Sequence, residues 1–370
     1  MSLVLGLVPL AAWLYLVLGR GFFWLARERD DEDAPVPVTW PSVVAVVPAR
    51  NEADVIARTV SSLMAQDYAG DFRVILVDDQ SSDGTGDAAR ALGCTVISGA
   101  QRPAGWTGKL WAVKQGIAAA GTPDYLWLTD ADIAHTPDNL AKLVARAQAG
   151  GLALTSLMAK LHCESVAEKL LIPAFVFFFD MLFPFAWVNG KGRTAAAAGG
   201  CMLVRREALE RAGGIAVIRG EIIDDCALGR TMKRQGRIWL GLTGRAVSIR
   251  PYEGFGEIRR MVARSAYAQL SYSPLRLAGT VAGMLLVYVA APFVAVLAHG
   301  WAQAAGFAAW LLMAVAFAPV LRFYRLSPFW GLALPVIGAL YGAFTLDSAI
   351  QHWRGRGGMW KGRAQAMEKA

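Results

Sequence analysis

Charged side chains are scarce in this sequence of 370 residues. Asp, Glu, Lys and Arg make up 18% of it, hydrophobic residues make up 55%, and the mean hydropathy is +0.38. A typical soluble domain has about 25% charged residues. The shortage argues against a purely soluble enzyme and predicts a membrane component, with room left for one globular domain.

Cysteine and histidine are also rare, with four of each. No two cysteines have the close spacing of a zinc or redox site, and no even framework indicates disulfides. The net charge of +8 comes largely from basic residues beside apolar segments, where anionic lipid headgroups explain them better than nucleic acid does. We therefore expect a reducing, cytoplasmic setting for the globular part and no nucleic-acid partner.

The amino-terminal residues 3–18 are apolar and uncharged. No basic residue precedes them and no small-residue cleavage site follows, so we expect a transmembrane anchor over residues 1–26 and not a cleaved signal peptide. Three arginines follow the apolar run, and the positive-inside rule then places the downstream chain in the cytoplasm. An acidic, proline-rich linker over 27–41 is expected to hold the next domain off the membrane.

The carboxyl-terminal part contains a second uncharged region, from Leu277 to Leu321, which is long enough for two spans. Residues 326–346 form a third candidate, so we expect transmembrane helices over 277–347 and a basic tail over 348–370. One amino-terminal and three carboxyl-terminal spans place this tail outside, whereas the positive-inside rule favours the inside. One apolar segment is then re-entrant or interfacial, and the sequence leaves open which one.

Residues 170–188 are also apolar and rich in phenylalanine, but Asp180 and two prolines interrupt them. This composition favours an interfacial segment that lies at the level of the lipid headgroups. A buried core helix is the alternative.

Between these segments, residues 42–255 alternate strand-like and helix-like patterns. A continuous apolar, β-rich run occurs at 43–47, a second strand is expected at 73–77, and a third near 95–97. The alternation predicts an α/β fold, Rossmann-like, with a mostly parallel sheet and flanking helices. In such sheets ligands bind at the carboxyl ends of the strands.

A buried strand leads from Tyr125 into Asp130-Ala131-Asp132. Alternation along a strand would direct both carboxylates at one spot, and two carboxylates held close require a cation. Mg²⁺ or Mn²⁺ held by carboxylates and substrate phosphates is the usual solution, although a solvated turn explains the motif equally well by itself. His135 is either a further ligand or a local hydrogen-bonding group.

Two other motifs suit the same chemistry. The glycine-spaced loop Gly105–Lys109 opens a helix whose amino terminus favours an anion, and Lys109 is placed to reach a phosphate. Its spacing is not that of a P-loop, which argues against an ATPase. Asp224 and Asp225 begin another helix, where carboxylates are either functional or simple caps.

We expect an amphipathic basic helix over 256–276. Arg260, Arg264 and Tyr267 share one stripe of it, at helical spacing. Such a stripe either clamps a diphosphate and stacks on a sugar or base, or lays the helix on lipid headgroups.

The order of these motifs resembles that of family 2 glycosyltransferases with the GT-A fold. The matching stretches are Val47–Glu52, Val77–Thr85, Asp130–Asp132 and Asp224–Asp225. The flanking apolar segments, the Gly105–Lys109 loop and the closing Trp360–Arg363 are similar to those of the hopene-associated glycosyltransferases of bacterial hopanoid gene clusters. A more distant resemblance is to ceramide glucosyltransferases.

The resemblance implies roles for the residues at the first two motifs. Ala49 and Glu52 would border the base and ribose of the nucleotide. Asp79, or alternatively Asp78, would contact the uracil. The stretch Arg260–Tyr267 occupies the place of the family's Gln/Arg-x-x-Arg-Trp motif, but its tryptophan is absent.

The resemblance also implies the reacting centre. Asp132 would bind Mg²⁺ or Mn²⁺ directly, and Asp130 would hold the ribose or assist the metal. Lys109 falls where the family often has a lysine that contacts the donor. Asp225 would be the catalytic base, with Asp224 standing where the family commonly has glutamate.

The expected function is that of a membrane-bound inverting glycosyltransferase that moves a sugar from a UDP-sugar to a lipid hydroxyl, for example that of a hopanoid. We expect a multi-pass protein of the bacterial inner (plasma) membrane with a cytoplasmic catalytic domain. The alternatives are transfer to ceramide or to a polyprenyl phosphate. A nucleotide-binding membrane transporter is a rival of another class, and the lack of charged residues inside the spans argues against it.

Overall fold

The computed structural model describes residues 2–357, 359–360 and 363–364. Contacts within the chain divide it into two units, a sheet unit and a helical unit. The sheet unit is built mainly from Glu28–His162 and Trp187–Arg250. The helical unit is built from the residues up to Arg27, Cys163–Ala186 and Pro251–Gly358.

Both units contain α-helices. In chain order the helices of the described residues are α1 Ser2–Gly19, α2 Ile56–Met64, α3 Thr85–Ala91, α4 Gly108–Ala119, α5 Asn139–Ala149, α6 Val166–Leu182, α7 Phe185–Asn189, α8 Arg206–Arg211, α9 Asp224–Lys233, α10 Phe255–Ala263, α11 Ala266–Gln269, α12 Pro274–Met284, α13 Ala290–Leu297, α14 Gly300–Phe323 and α15 Leu334–Trp353.

Eight strands form one mixed sheet in the sheet unit. They are β1 Val43–Ala49, β2 Phe72–Asp78, β3 Thr95–Ser98, β4 Tyr125–Thr129, β5 Ile133–His135, β6 Leu154–Lys160, β7 Cys201–Arg205 and β8 Ile238–Ser248. Their order in the sheet is β3-β2-β1-β4-β7-β6-β8-β5. Strands β3, β2, β1 and β4 are parallel, β7 runs antiparallel to β4 and β6, and β5 runs antiparallel to β8. The expected α/β fold with a mostly parallel sheet is confirmed.

The core explains why these residues form these elements. Every residue of β1 is buried, as expected for a strand covered on both faces. Helix α2 buries Ile56, Val60 and Leu63, which recur at helical spacing and form its apolar face. Helix α4 lies close to the sheet because Gly116 has no side chain, since a Cβ there would come within 2.4 Å of Val46 Cγ1. This close approach sets the position of the helix that carries Lys109.

The expected linker over 27–41 is attached to the sheet unit from residue 28 onwards and is not a free spacer. Asp30 is buried, pairs with Arg245 at 3.0 Å and accepts a hydrogen bond from Thr243 Oγ1 at 2.7 Å. Burying a carboxylate is tolerated only when partners of this kind compensate its charge. The acidic run therefore has a structural role that its composition did not indicate.

Three segments of the helical unit are long and apolar enough to cross a membrane, judged by length and composition. They are Pro274–Leu297, Gly300–Phe323 and Pro328–Trp353. They agree with the three spans expected in this region, although the first contains a π-helical turn at Leu285–Val289. Helix α1 carries a shorter apolar stretch, Gly6–Gly19. Lys361 and Gly362 of the expected basic tail lie outside the described residues.

The phenylalanine-rich residues 170–188 mostly belong to α6, which lies inside the helical unit. The ring of Phe177 is buried and lies 5.2 Å from that of Phe317. Asp180 is also buried, and it accepts a hydrogen bond from the backbone N–H of Phe185 at 2.9 Å. An interfacial segment would expose one apolar face, so this burial supports the alternative of a core helix.

Candidate active site

Lys109 joins acidic residues from two separate elements of the sheet unit. Its ammonium lies 2.8 Å from Asp130 Oδ1, just beyond β4, and 3.2 Å from Asp224 Oδ2, the first residue of α9. Thr107 begins α4 as its N-cap, with its side chain accepting from the backbone N–H of Leu110. Burial opposes the charge of Lys109, but the two carboxylates outweigh it and raise its pKa. The lysine is therefore charged at neutral pH.

Asp225 lies next to this cluster and is held by backbone donors. Its two carboxylate oxygens accept from Gly199 N–H at 3.1 Å and from Cys226 N–H at 2.6 Å. Burial, and next the negative charge of Asp224, raise the pKa of Asp225 to about 6, while Lys109 and the two N–H groups oppose the rise. A carboxylate with such a pKa is ionised at neutral pH and basic enough to take a proton.

The Gly199 backbone lies against the side chains of both Lys109 and Asp225. A Cβ at this position would lie 3.3 Å from Lys109 Nζ and 3.5 Å from Asp225 Oδ2. Glycine therefore allows the N–H to reach Asp225 without covering Lys109.

Asp130 and Asp132 lie in a turn and not on a strand. Strand β4 ends at Thr129, and the backbone N–H of Ile133 closes the turn on the carbonyl of Asp130 at 3.3 Å. Strand alternation is therefore not what brings the two carboxylates to one end of the sheet. Burial, with Asp130 and Glu52 nearby, raises the pKa of Asp132 to about 6.

Arg250 is the cation beside Asp132. It follows β8, forms ion pairs with Glu52 and with Asp54, the latter at 2.8 Å, and its Nε lies 4.0 Å from Asp132 Oδ2. The sequence reasoning missed this residue. The only signal in the sequence was a basic residue at the end of an unassigned β-rich run, directly before Pro251.

The residues around Asp132 fit a metal that arrives with its ligand. Among the described residues, no group of three His, Cys, Asp or Glu side chains is arranged to hold a metal. However, Asp132 is an oxygen donor crowded by Asp130 and Glu52, and a divalent cation would relieve this repulsion. Mg²⁺ and Mn²⁺ accept one or two carboxylates when substrate phosphates complete the shell.

The model of the family described as glycosyl transferase family 2 matches residues 44–213. The chain carries a glycosyltransferase domain. The match includes Ala49, Lys109 and Asp132, whereas the pair Asp224–Asp225 lies beyond it. No curated protein matches the chain in sequence.

One solved glycosyltransferase structure shares the fold, and a second has a lower similarity. The mannosyltransferase PcManGT from Pyrobaculum calidifontis, in complex with GDP-Man and Mn²⁺, is 22% identical, with 96% of this chain and 100% of that chain covered and a TM-score of 0.59. Glucosyl-3-phosphoglycerate synthase from Mycobacterium tuberculosis is 21% identical, with 62% and 79% covered and a TM-score of 0.41. At this identity the first likeness shows a common fold and nothing more, and it agrees with the expected GT-A fold.

In the glycosyltransferase domain, the residues expected to border the nucleotide lie at or just after the carboxyl ends of β1 and β2. Asp79 is buried, its N–H donates to the carbonyl of Ala49 at 2.8 Å, and Arg50 donates to its carbonyl. Asp78 accepts from Ser81 N–H at 2.9 Å and so closes the turn after β2. Their roles toward a base stay predictions, as does that of Glu52, whose N–H donates to Thr85 Oγ1.

The basic stripe expected over 256–276 lies in the helical unit and is not one helix. Helix α10 ends at Ala263 and α11 covers Ala266–Gln269. Tyr267 is 1% exposed, its N–H donates to Ser348 Oγ, and its hydroxyl donates to a carbonyl, so its ring is not available for stacking on a ligand. Arg264 is exposed, and Arg260 is 3.5 Å from a glutamate one turn away. The roles of both arginines stay predictions.

His135 is a local hydrogen-bonding group. It is buried, one ring nitrogen lies 2.9 Å from Thr129 Oγ1, and the other lies 3.0 Å from Asn139 Nδ2. Burial lowers its pKa to about 3, so the ring is neutral. Both ring nitrogens have protein partners, which argues against the alternative of a metal ligand.

Proposed function

We propose that the protein is a membrane-bound inverting glycosyltransferase that transfers a sugar from a nucleoside diphosphate sugar to a lipid hydroxyl. The observation that carries the proposal is Asp225, a half-buried carboxylate that two backbone N–H groups hold beside Lys109 and Asp224 and whose pKa is raised to about 6. An inverting transfer needs one such base and no covalent nucleophile.

The proposed reaction is a single displacement. Asp225 takes the proton of the acceptor hydroxyl while the acceptor oxygen forms a bond to the anomeric carbon. The bond between that carbon and the diphosphate breaks, and its electron pair leaves on the phosphate oxygen. Lys109 lies between Asp130 and Asp224 and supplies positive charge close to the leaving group.

Asp132, with Asp130 beside it, would hold Mg²⁺ or Mn²⁺, which would supply further neutralisation of the leaving diphosphate. Asp79, Asp78, Ala49 and Glu52 would form the nucleotide side of the site. Arg260 and Arg264 remain proposed as donor-contacting residues.

The donor is proposed to be a UDP-sugar, because the motifs of β1 and β2 resemble those of enzymes that use one. The mannosyltransferase with the same fold was solved with GDP-Man and Mn²⁺. GDP-mannose therefore belongs in any panel of donors tested with this protein.

The acceptor is proposed to be a lipid, with a hopanoid as the first candidate. Three segments long and apolar enough to cross a membrane support an acceptor that is itself in the membrane. The proposed location is the bacterial inner membrane, with multiple spans and a cytoplasmic catalytic domain that meets soluble nucleotide sugars there.

The deciding experiment uses the full chain in lipid nanodiscs with Mn²⁺, a panel of UDP-sugars and GDP-mannose, and extracted bacterial lipids. We expect release of free nucleotide that requires both metal and lipid, with a glycolipid product identified by mass. Asp225→Asn should lower kcat by about 10²–10⁴ and leave UDP affinity unchanged, because the amide cannot accept the proton.

Glu210→Gln is the matched control, since it makes the same change at an exposed ion pair with Arg206. If Asp225→Asn kept the rate of this control, Asp225 would not be the base. A polyprenyl phosphate needs no strong base to react. If Asp225→Asn retained turnover with that acceptor, the result would favour this acceptor class. Nucleotide binding without any release of UDP or GDP would favour a transporter.

A further inference from the structure

Arg250 is fixed beside Asp132 by the backbone and not only by its side chain. Strands β5 and β8 pair antiparallel with Ile133 opposite Ser248, and the N–H of Ile249 donates to the carbonyl of Asp132 at 2.9 Å. These backbone contacts place residue 250 next to the turn that carries Asp132.

The guanidinium is held in one orientation by carboxylates from the loop after β1. Its Nη1 and Nη2 donate to the two oxygens of Asp54 at 2.8 and 3.2 Å, and Nη2 also pairs with Glu52. A planar guanidinium matches a carboxylate in this forked arrangement. Its Nε then faces Asp132, at 4.0 Å from Oδ2.

This geometry places a fixed positive charge where a divalent cation would bind. A cation on Asp132 would lie within a few ångströms of Arg250, and at such separations like charges repel strongly in a partly buried site. Among the described residues, no group of three His, Cys, Asp or Glu side chains is arranged to hold a metal there against this repulsion. A bound diphosphate would offset the repulsion, because its negative oxygens attract the metal and the guanidinium together.

We propose that Arg250 is a positioning residue that keeps Asp132 from holding a divalent cation until a nucleoside diphosphate arrives. The inference rests on the proposed donor-metal site at Asp132. Under this proposal the metal binds tightly only together with the donor, and Arg250 is the side chain responsible for that dependence.

The test is a titration of Mn²⁺ binding by electron paramagnetic resonance, using the full chain in nanodiscs with and without UDP. For the wild type, we expect UDP to tighten Mn²⁺ binding by about tenfold or more. Arg250→Gln should tighten Mn²⁺ binding without UDP by about tenfold, so that UDP then tightens it by less than in the wild type. Arg250→Lys keeps the charge and should retain the dependence on UDP.

Arg245→Gln is the matched control. Arg245 lies in β8, five residues before Arg250, and it also pairs with two carboxylates, those of Asp30 and Asp138. Its Mn²⁺ titrations should match those of the wild type. Thermal melting of each variant checks folding.

Unchanged or weaker Mn²⁺ binding by folded Arg250→Gln in the absence of UDP would overturn the inference. Tight Mn²⁺ binding by the wild type without UDP would also overturn it, and this comparison decides the matter if the variant does not fold. A failure of the proposed function looks different, because the wild type would then bind no Mn²⁺ even with UDP.

Discussion

Two cations hold the acidic residues of the candidate active site, and they do so in different ways. Lys109 is a single charge in the interior, 18% exposed, that contacts Asp130 and Asp224 from the first turn of a helix. Arg250 is 32% exposed, and its planar group contacts Glu52 and Asp54 and approaches Asp132.

The different partners of Lys109 and Arg250 indicate different roles in the proposed reaction. Lys109 links the turn after β4 to the helix that carries Asp225, so its charge acts on both the leaving group and the base. Arg250 acts on the metal side alone, because none of its carboxylate partners lies on α9. Loss of Lys109 should therefore impair the chemical step, whereas loss of Arg250 should change metal binding.

Of the changes that compare these two cations, Lys109→Met should have the largest effect, because it removes the charge and keeps an unbranched apolar side chain. We expect kcat to fall by about 10²–10³, since a preorganised cation at the leaving group is lost and Asp130 and Asp224 repel each other. Lys114→Met is the control on the same helix, where Lys114 lies over the ring of Trp106. Equal rates for the two variants would contradict the assigned role.

The next effect concerns the pH dependence of the transfer rate. The pKa of Asp225 is raised to about 6, so the carboxyl is protonated and inactive below that pH. We expect kcat to rise through pH 6 and to level off above it. Because Lys109 lowers this pKa, Lys109→Met should move the midpoint to higher pH. A wild-type midpoint near pH 4, the usual range of a carboxyl group, would contradict the assignment of Asp225 as the base.

The sequence predicted those elements whose signal is local. Strands β1 and β4 are continuous apolar runs, and both are buried over their whole length. Asp224 and Asp225 begin a helix as expected, because acidic residues in a first turn are a strong local preference. The order of these motifs along the chain then pointed to the correct enzyme class.

The sequence did not predict features that depend on distant partners. Arg250 contacts Glu52, almost two hundred positions earlier, and nothing in its own neighbourhood indicates this contact. Strand β8 contains Gly241 and Gly244, which weaken its apolar pattern, and it was not expected. Tyr267 has the spacing of a surface stripe, yet its N–H donates to Ser348 on α15, which removes the ring from the surface.

The smallest effect is expected for Asp54→Asn, which tests how Arg250 is held. The Asp54 side chain is 60% exposed and that of Glu52 is 10% exposed. An exposed ion pair contributes only about 0–1 kcal/mol because water and salt screen it, whereas a buried partner orients the guanidinium more firmly. We therefore expect Asp54→Asn to change kcat/KM by about twofold at most, and Glu52→Gln to change it more. If Asp54→Asn reduced kcat/KM as much as Glu52→Gln does, the exposed side of the fork would be what orients Arg250, and the contrast with the interior Lys109 would be lost.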